Sequence, residues 1–320
     1  MPTNYPTSLS QLTVSAFNRM SVKQFVGLVL LIAMLGLSLL VLCFSGFSID
    51  GQNLQHTLTI PSLEHWLGTD QYGRSMLMRL ASAIVLSLML GVICVLTASI
   101  AGVGLGLVSV FSPARLAGFI DGVSNIVLAL PALVIVLLLS AMVPGSLLLI
   151  YIAIALVQWV EYYRVTRQRA IAILASPRAE NSRLLGFDNR YLIKRHIIPD
   201  LAPTLSTMMA FGAANAILMM AGLGFVYVGI QPPTAELGLM SVELFPYYQQ
   251  APWLVAQPLV AISLLVLSFH LMADSDRTSS KVSPECHLTS DNSANGNFAN
   301  DSSAKESTAE NQSPAEVSKL

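Results

Sequence analysis

Long apolar windows without a single Asp, Glu, Lys or Arg are the feature that most constrains how this chain can fold. Five of these windows exceed the roughly 20 residues that a helix needs to cross a hydrocarbon core about 30 Å thick. They cover residues 24–49, 80–114, 122–160, 201–235 and 244–273. Because a bilayer offers no hydrogen-bond partners to free backbone groups, each crossing must be helical. The sequence therefore predicts an all-α, polytopic membrane protein.

The window 122–160 is long enough for two crossings, and Pro144-Gly145 supplies a turn between them. We therefore predict six transmembrane helices. The first has a longer apolar stretch than a signal peptide, so we interpret it as an uncleaved anchor. The six spans are predicted near residues 24–44, 80–108, 119–142, 146–163, 204–228 and 253–272.

The basic residues predict the orientation of the spans, because Lys and Arg resist translocation. With six spans both termini share a side, and that side would hold 15 of the 17 Lys and Arg residues. Only Arg74 and Arg79 fall on the other side. We predict a cytoplasmic N-terminus (1–23), a six-helix membrane domain (24–272) with a cytoplasmic loop at 161–203, and a disordered cytoplasmic tail (273–320). The tail is rich in Ser and Asn and has one aromatic residue, Phe298.

Several functions are disfavoured by what the sequence lacks. Within the charge-free windows, the one ionisable group of the kind that builds proton relays is His270, which argues against a proton-coupled carrier. No Lys follows a Gly, so the chain has no P-loop, and ATP hydrolysis would have to come from another chain. Three scattered cysteines favour neither a disulfide framework nor a metal site. The net charge of −1, without a basic stripe, gives no reason to expect a nucleic-acid partner.

Two features inside the spans concern packing. Gly102 and Gly106 have the small-xxx-small spacing that lets helices approach closely. Pro131 should kink the third span, and the kink would either shape a pathway or serve packing alone.

The cytoplasmic loop carries the most informative pattern. Its Arg164, Arg167 and Arg169 are expected to reach the lipid headgroups. Ser176-Pro177 predicts a helix start, and Gly186 suits the left-handed residue that ends such a helix. Asp188 should cap a second helix, which we predict to end at Pro199. The first helix would either insert into a groove on a partner or form an ordinary interfacial loop.

At these motifs the sequence resembles a family, the inner-membrane permease subunits of ABC importers for dipeptides, oligopeptides and nickel. The cytoplasmic family motif begins Glu-Ala-Ala and reaches Gly six residues after its Glu, and here Glu180 and Gly186 match while Asn181 and Ser182 replace the two alanines. Four further stretches agree with motifs of the same family. At Ser75, Ala235 and Leu237 the sequence departs from the residues that the family usually has. The four stretches are His65-Trp66-Leu67-Gly68-Thr69-Asp70-Gln71-Tyr72-Gly73-Arg74, Leu130-Pro131-Ala132-Leu133, Gln231-Pro232-Pro233-Thr234-Ala235-Glu236-Leu237-Gly238 and Ala251-Pro252-Trp253-Leu254.

The resemblance implies a type I importer permease fold and a subunit that is not an enzyme. It further implies ATPase subunits in the cytoplasm, a second homologous permease subunit, a periplasmic solute-binding protein and a location in the bacterial inner membrane. This chain would bind neither a cofactor nor a metal. The ATPase-coupling loop would comprise Glu180, Asn181, Ser182, Gly186 and Pro199, with Glu180 either orienting the loop or pairing with a basic group. Asp70, Arg74 and Glu236 would form an external gate, contact the binding protein or have a structural role.

Two other functions remain as alternatives, a self-sufficient secondary carrier and a membrane-embedded enzyme. Glu64, His65 and Asp70 are the nearest approach to a catalytic cluster, but they fit the family motif better. The solute stays open among dipeptides, oligopeptides, antimicrobial peptides, nickel complexes and polyamines. Within this family, the sequence is expected to lie nearest to the permeases for antimicrobial peptides.

Overall fold

The computed structural model describes residues 21–44, 51–63 and 65–274. In this part of the chain the regular structure is helical, apart from one isolated bridge between Thr69 and Ser75. Residues 189–225 form one helical rod in which a π-helical turn, Ile193–Ile197, joins α7 to α8. A 3₁₀ turn, Phe245–Tyr247, follows α9. The α-helices are α1 (Val22–Phe44), α2 (Met76–Phe111), α3 (Ala114–Ala129), α4 (Ala132–Met142), α5 (Leu147–Leu174), α6 (Pro177–Leu184), α7 (Asn189–Leu192), α8 (Ile198–Phe225), α9 (Leu237–Leu244) and α10 (Pro252–Ala273).

The predicted all-α membrane fold is confirmed. Five helices among the described residues are long and apolar enough to cross a membrane, and the bent pair α3–α4 would make a sixth crossing. The turn predicted at Pro144-Gly145 separates α4 from α5, and Gly145 has a φ of +81°. Most of the predicted N-terminal segment and the predicted tail lie outside the described residues. Their assignments therefore stay predictions.

The third predicted span is not a single helix. Its two halves, α3 and α4, meet at an angle of 85°. The break has a local cause, since Pro131 lacks an N–H and disfavours helical geometry at the residue before it. Leu130 accordingly has an extended backbone, with φ −106° and ψ 145°. The predicted kink is therefore correctly placed but much sharper than a kink within one helix.

The prediction that the second cytoplasmic helix ends at Pro199 is wrong. The helix continues through Pro199 into α8 as far as Phe225. The change of register explains why the proline is tolerated, because the Ile198 N–H already bonds to the Ile193 carbonyl five residues earlier. Pro199 then sits in the first turn of α8, where a missing N–H costs little.

Close packing of α2 against α5 forms the centre of the membrane domain. A Cβ added to Gly102 would lie 2.5 Å from the Trp159 carbonyl oxygen, and one added to Gly106 would lie 2.8 Å from the Thr166 Cβ. The predicted small-xxx-small contact is therefore confirmed. At one end of the molecule, Lys23 at the start of α1 pairs with Asp274 after α10 at 2.8 Å. Both ends of the described membrane domain thus lie on the same side.

Candidate functional site

The loop before α2, residues 51–75, is organised around the carboxylate of Asp70. The Asp70 Oδ1 atom accepts hydrogen bonds from the backbone N–H groups of Tyr72 (2.9 Å) and Arg74 (2.8 Å). The Gly73 N–H donates a hydrogen bond to the Asp70 carbonyl at 3.0 Å and closes this turn. Gly73 has a φ of +71°, which glycine adopts without strain. The sequence Asp70-Gln71-Tyr72-Gly73-Arg74 therefore folds as a compact turn around one buried acid.

The other oxygen of Asp70 belongs to a buried ionic network. Asp70 Oδ2 lies 2.7 Å from Arg74 Nε and 2.7 Å from Arg79 Nη1, at the start of α2. The other terminal nitrogen, Arg79 Nη2, lies 3.0 Å from Glu243 Oε2 in α9. Asp70, Arg74 and Arg79 are at most 4% exposed, and the Glu243 side chain is 11% exposed. Arg79 therefore fastens the 51–75 loop to α9.

Glu236 is the N-cap of α9. Its two carboxylate oxygens accept hydrogen bonds from the backbone N–H groups of Gly238 (2.9 Å) and Leu239 (2.7 Å). Such caps satisfy donors that the first turn of a helix leaves free. Burial raises the pKa of Glu236 above its ordinary value, and the two hydrogen bonds oppose that rise. The sequence placed Glu236 in an external loop but did not predict the short helix that it caps.

The three residues proposed for an external gate or binding-protein contact are all buried. Asp70 is 0% exposed, Arg74 4% and Glu236 1%. In this conformation their polar atoms serve the loop and α9, so direct contact with another protein would require the loop to open. Arg79 and Glu243, which complete the network, were not singled out by the sequence. They are 164 residues apart, and no local pattern pairs them.

A second polar cluster joins α2, α3 and α5 near the opposite end of α2, where Arg167 Nε donates to the Ser109 hydroxyl at 2.9 Å. The Tyr163 hydroxyl donates to Asp121 Oδ1 at 2.6 Å, and Arg167 Nη2 lies 3.2 Å from Asp121 Oδ2. Arg164 Nη2 donates to Asn125 Oδ1 at 2.7 Å. The third predicted span, 119–142, already included Asp121, and α3 begins five residues earlier than that span, at Ala114. Arg164 and Arg167 therefore bind other helices as well as lying near the predicted headgroup level.

The predicted cytoplasmic helix is present as α6, and its C-terminus has the predicted form. The Gly186 N–H bonds to the Arg183 carbonyl at 2.9 Å, and the Phe187 N–H bonds to the Ser182 carbonyl at 3.2 Å. This pair of bonds, with Gly186 at φ +82°, is a Schellman motif. Ser176 is at the N-cap position, but its hydroxyl donates to the Ile173 carbonyl at 2.6 Å instead of capping α6.

The predicted coupling residues occupy different surroundings on this segment. Glu180 and Asn181 are exposed, Ser182 is half-buried and Pro199 is exposed at the start of α8. Among the described residues, the Glu180 carboxylate has no ion-pair partner within 4 Å; it lies in the first turn of α6, where the helix dipole favours a negative charge. Ala179 is the one buried residue of α6.

An apolar end projects from this polar helix. Leu184 and Leu185 are 81% and 76% exposed, and Phe187 is 45% exposed. Large exposed apolar side chains on an eight-residue polar helix are typical of a surface that packs on another protein. This geometry favours the docking interpretation of the segment over an ordinary interfacial loop.

Comparison with known proteins agrees with this arrangement. Residues 98–275 match the family described as "Binding-protein-dependent transport system inner membrane component". The chain belongs to this family. The match includes α6 with the motif from Glu180 to Gly186, Pro199, and the membrane-crossing helices from the second half of α2 to α10. The resemblance to ABC importer permeases is thereby confirmed, and no comparison favours a secondary carrier.

Individual relatives extend the similarity of this binding-protein-dependent permease beyond the matched region. The di/tripeptide transport system permease protein DppC of Pseudomonas aeruginosa is 36% identical over 208 residues, covering 65% of this chain and 69% of that protein. The dipeptide transport system permease protein DppC of Haemophilus influenzae is 33% identical over 255 residues, covering 78% and 86%. The oligopeptide transport system permease protein OppC of Bacillus subtilis is 26% identical over 249 residues, covering 78% and 82%.

Proposed function

We propose that this chain is a permease subunit of an ATP-driven importer for peptides or peptide-like solutes. A second, homologous permease subunit completes the pathway, and a periplasmic binding protein delivers the solute. ATP is hydrolysed on separate cytoplasmic subunits, so the chain itself is neither an enzyme nor the holder of a cofactor. It lies in the bacterial inner membrane with both termini in the cytoplasm. The names of the relatives support peptides as the solute class.

One observation carries the proposal, the projecting helix α6. Its apolar end, Leu184 and Leu185, is exposed to solvent, while Ala179 anchors its other face. Since the chain has no P-loop, the energy must arrive through contact with another subunit. A short helix fixed between two membrane helices can pass the movement of such a subunit to both of them as a rigid-body shift. Glu180, Asn181, Ser182, Gly186 and Pro199 form or flank this contact.

The buried network at the other end supports an external gate. Asp70, Arg74, Arg79 and Glu243 join the 51–75 loop to α9, and Glu236 caps α9. Because the network joins elements that are distant in sequence, a displacement of the loop would move α9 with it. We propose that these residues position the external surface on which the binding protein docks, without contacting it directly.

Co-purification from native membranes tests the central contact. Wild type should bring down an ATPase and a second permease. Gly186→Val should lose the ATPase, because a β-branched residue is strained at φ +82°, while membrane insertion stays normal. Gly186→Asn is the matched control, since Asn tolerates the left-handed region and a Cβ here meets no atom within 4 Å. Absence of an ATPase from the wild-type sample would contradict the proposed function.

A further inference from the structure

The attachment of α6 to the rest of the protein is unusually slight. Of its eight residues only Ala179 is buried. A helix that transmits force must keep a fixed angle to the helix that it moves. One buried alanine does not fix the rotation of α6, so other contacts must hold it.

A side-chain hydrogen bond provides such a contact. The Ser182 Oγ atom lies 3.0 Å from His196 Nε2 and also donates to the Arg178 carbonyl at 3.1 Å. When Ser182 gives its single proton to Arg178, the His196 Nε2–H donates to Ser182. The bond spans 14 residues and directly joins α6 to the π-helical turn.

His196 is itself held firmly. It stands in the π-helical turn between Leu192 and Ile197, both of which are 0% exposed. Ile197 packs with Ala170 of α5 and Leu201 of α8. A π-helical turn inserts an extra residue and so changes the direction in which neighbouring side chains point. His196 therefore projects from a rigid part of the α8 rod.

Aromatic contacts form a second connection between the end of α6 and the π-helical turn. The ring of Tyr191 meets His196 edge-on, with centroids 6.1 Å apart, and stacks on Phe187 at 4.3 Å. Phe187 follows the Schellman glycine, Gly186, so the residues between Ser182 and His196 form a closed loop with contacts at both ends. These contacts limit rotation of α6 about its own axis.

We propose that Ser182 and His196 form a brace that fixes the angle between α6 and α8, with His196 as a positioning residue for energy coupling. This inference rests on the proposed function of α6 as the ATPase contact. It gives a physical role to one departure from the family motif, in which alanine takes the place of Ser182. An alanine has no hydroxyl and cannot make this bond.

The test uses the complete complex, purified through this chain and reconstituted in vesicles with the binding protein. The variants are Ser182→Ala, His196→Leu, the double variant and His196→Gln, whose amide nitrogen can take the place of Nε2. Ser263→Ala is the control, because that hydroxyl bonds to Leu259 in its own helix. The readouts are the amount of co-purified ATPase and the peptide imported per ATP hydrolysed.

Ser182→Ala and His196→Leu should each lower the peptide imported per ATP by about two- to tenfold, the effect of losing one net hydrogen bond. The double variant should import no less peptide per ATP than the more impaired of the two single variants. The peptide imported per ATP by His196→Gln should stay within about twofold of wild type. ATPase recovery should not change in His196→Leu, because His196 lies outside the proposed ATPase contact. Unchanged coupling in Ser182→Ala, or effects that add in the double variant, would overturn the brace. Loss of the ATPase from wild type would instead overturn the proposed function.

Discussion

Four ionic side chains, the buried Asp70, Arg74 and Arg79 and the partly buried Glu243, lie at the junction of the 51–75 loop, α2 and α9. Arg79 is the shared member, since its two terminal nitrogens bind different carboxylates. A guanidinium can do this because its planar fork presents donors in fixed directions. Lysine would keep the charge but would not hold two carboxylates in the same geometry.

Arg79→Met should strongly destabilise the protein, because Asp70 and Glu243 would lose their shared partner. Removal of one member of a buried ion pair costs about 3–5 kcal/mol. The unfolding temperature in detergent measures the effect. Lys23→Met is the control, since it breaks a pair whose side chains are 53% and 49% exposed. An exposed pair contributes at most about 1 kcal/mol. Equal shifts in the two variants would contradict the assigned role of Arg79.

The raised pKa of Glu236 predicts that the stability of the protein depends on pH. Burial raises the pKa of Glu236 in the native state above its ordinary value of 4.5, so the native state holds this proton more tightly than the unfolded state. The resulting stabilisation is complete below the unfolded value and is lost as pH rises through the higher native pKa. Wild type should therefore lose stability relative to Glu236→Gln as pH rises. Unfolding temperatures of both proteins from about pH 4 to about pH 8 measure this. A gap that stays constant with pH would contradict the raised pKa.

At the scale of elements, local chemistry explains which parts the sequence could predict. The spans follow from charge-free windows, and the end of α6 follows from a single glycine. The sequence predicted the position of the break at Pro131 but not its angle of 85°, because the angle depends on how α3 and α4 pack. Continuation of the helix through Pro199 depends on the π-helical turn, for which the sequence has no reliable pattern. The salt bridge from Arg79 to Glu243 is a tertiary contact between distant residues, so no local sequence pattern predicts it.

The contact between α2 and α5 gives a test of helix packing. Gly102→Ala should destabilise the protein by about 1–3 kcal/mol, because its Cβ would lie 2.5 Å from the Trp159 carbonyl and the helices would have to separate. Gly104→Ala should be neutral or stabilising by up to about 1 kcal/mol, since no atom lies within 4 Å of its Cβ. Thermal unfolding in detergent compares the two. A similar loss of stability in both would show that the α2–α5 contact does not require glycine.

At the scale of the whole molecule, two separate arrangements face opposite ends of α2. The ionic network and α9 lie near its start, while α6 and its attachment to the α8 rod lie beyond its other end. In the family of binding-protein-dependent permeases, this separation suits a subunit that receives solute on one side and energy on the other. The described helices provide the frame that links the two ends.

Peptide uptake by reconstituted vesicles tests the central claim most directly. The complex purified through this chain would be placed in vesicles with the binding protein on one side and ATP on the other. We predict that labelled peptide accumulates when both are present and that an ion gradient cannot replace ATP. Accumulation driven by an ion gradient alone, without ATP or binding protein, would contradict the assignment as an ABC importer permease and would favour a secondary carrier.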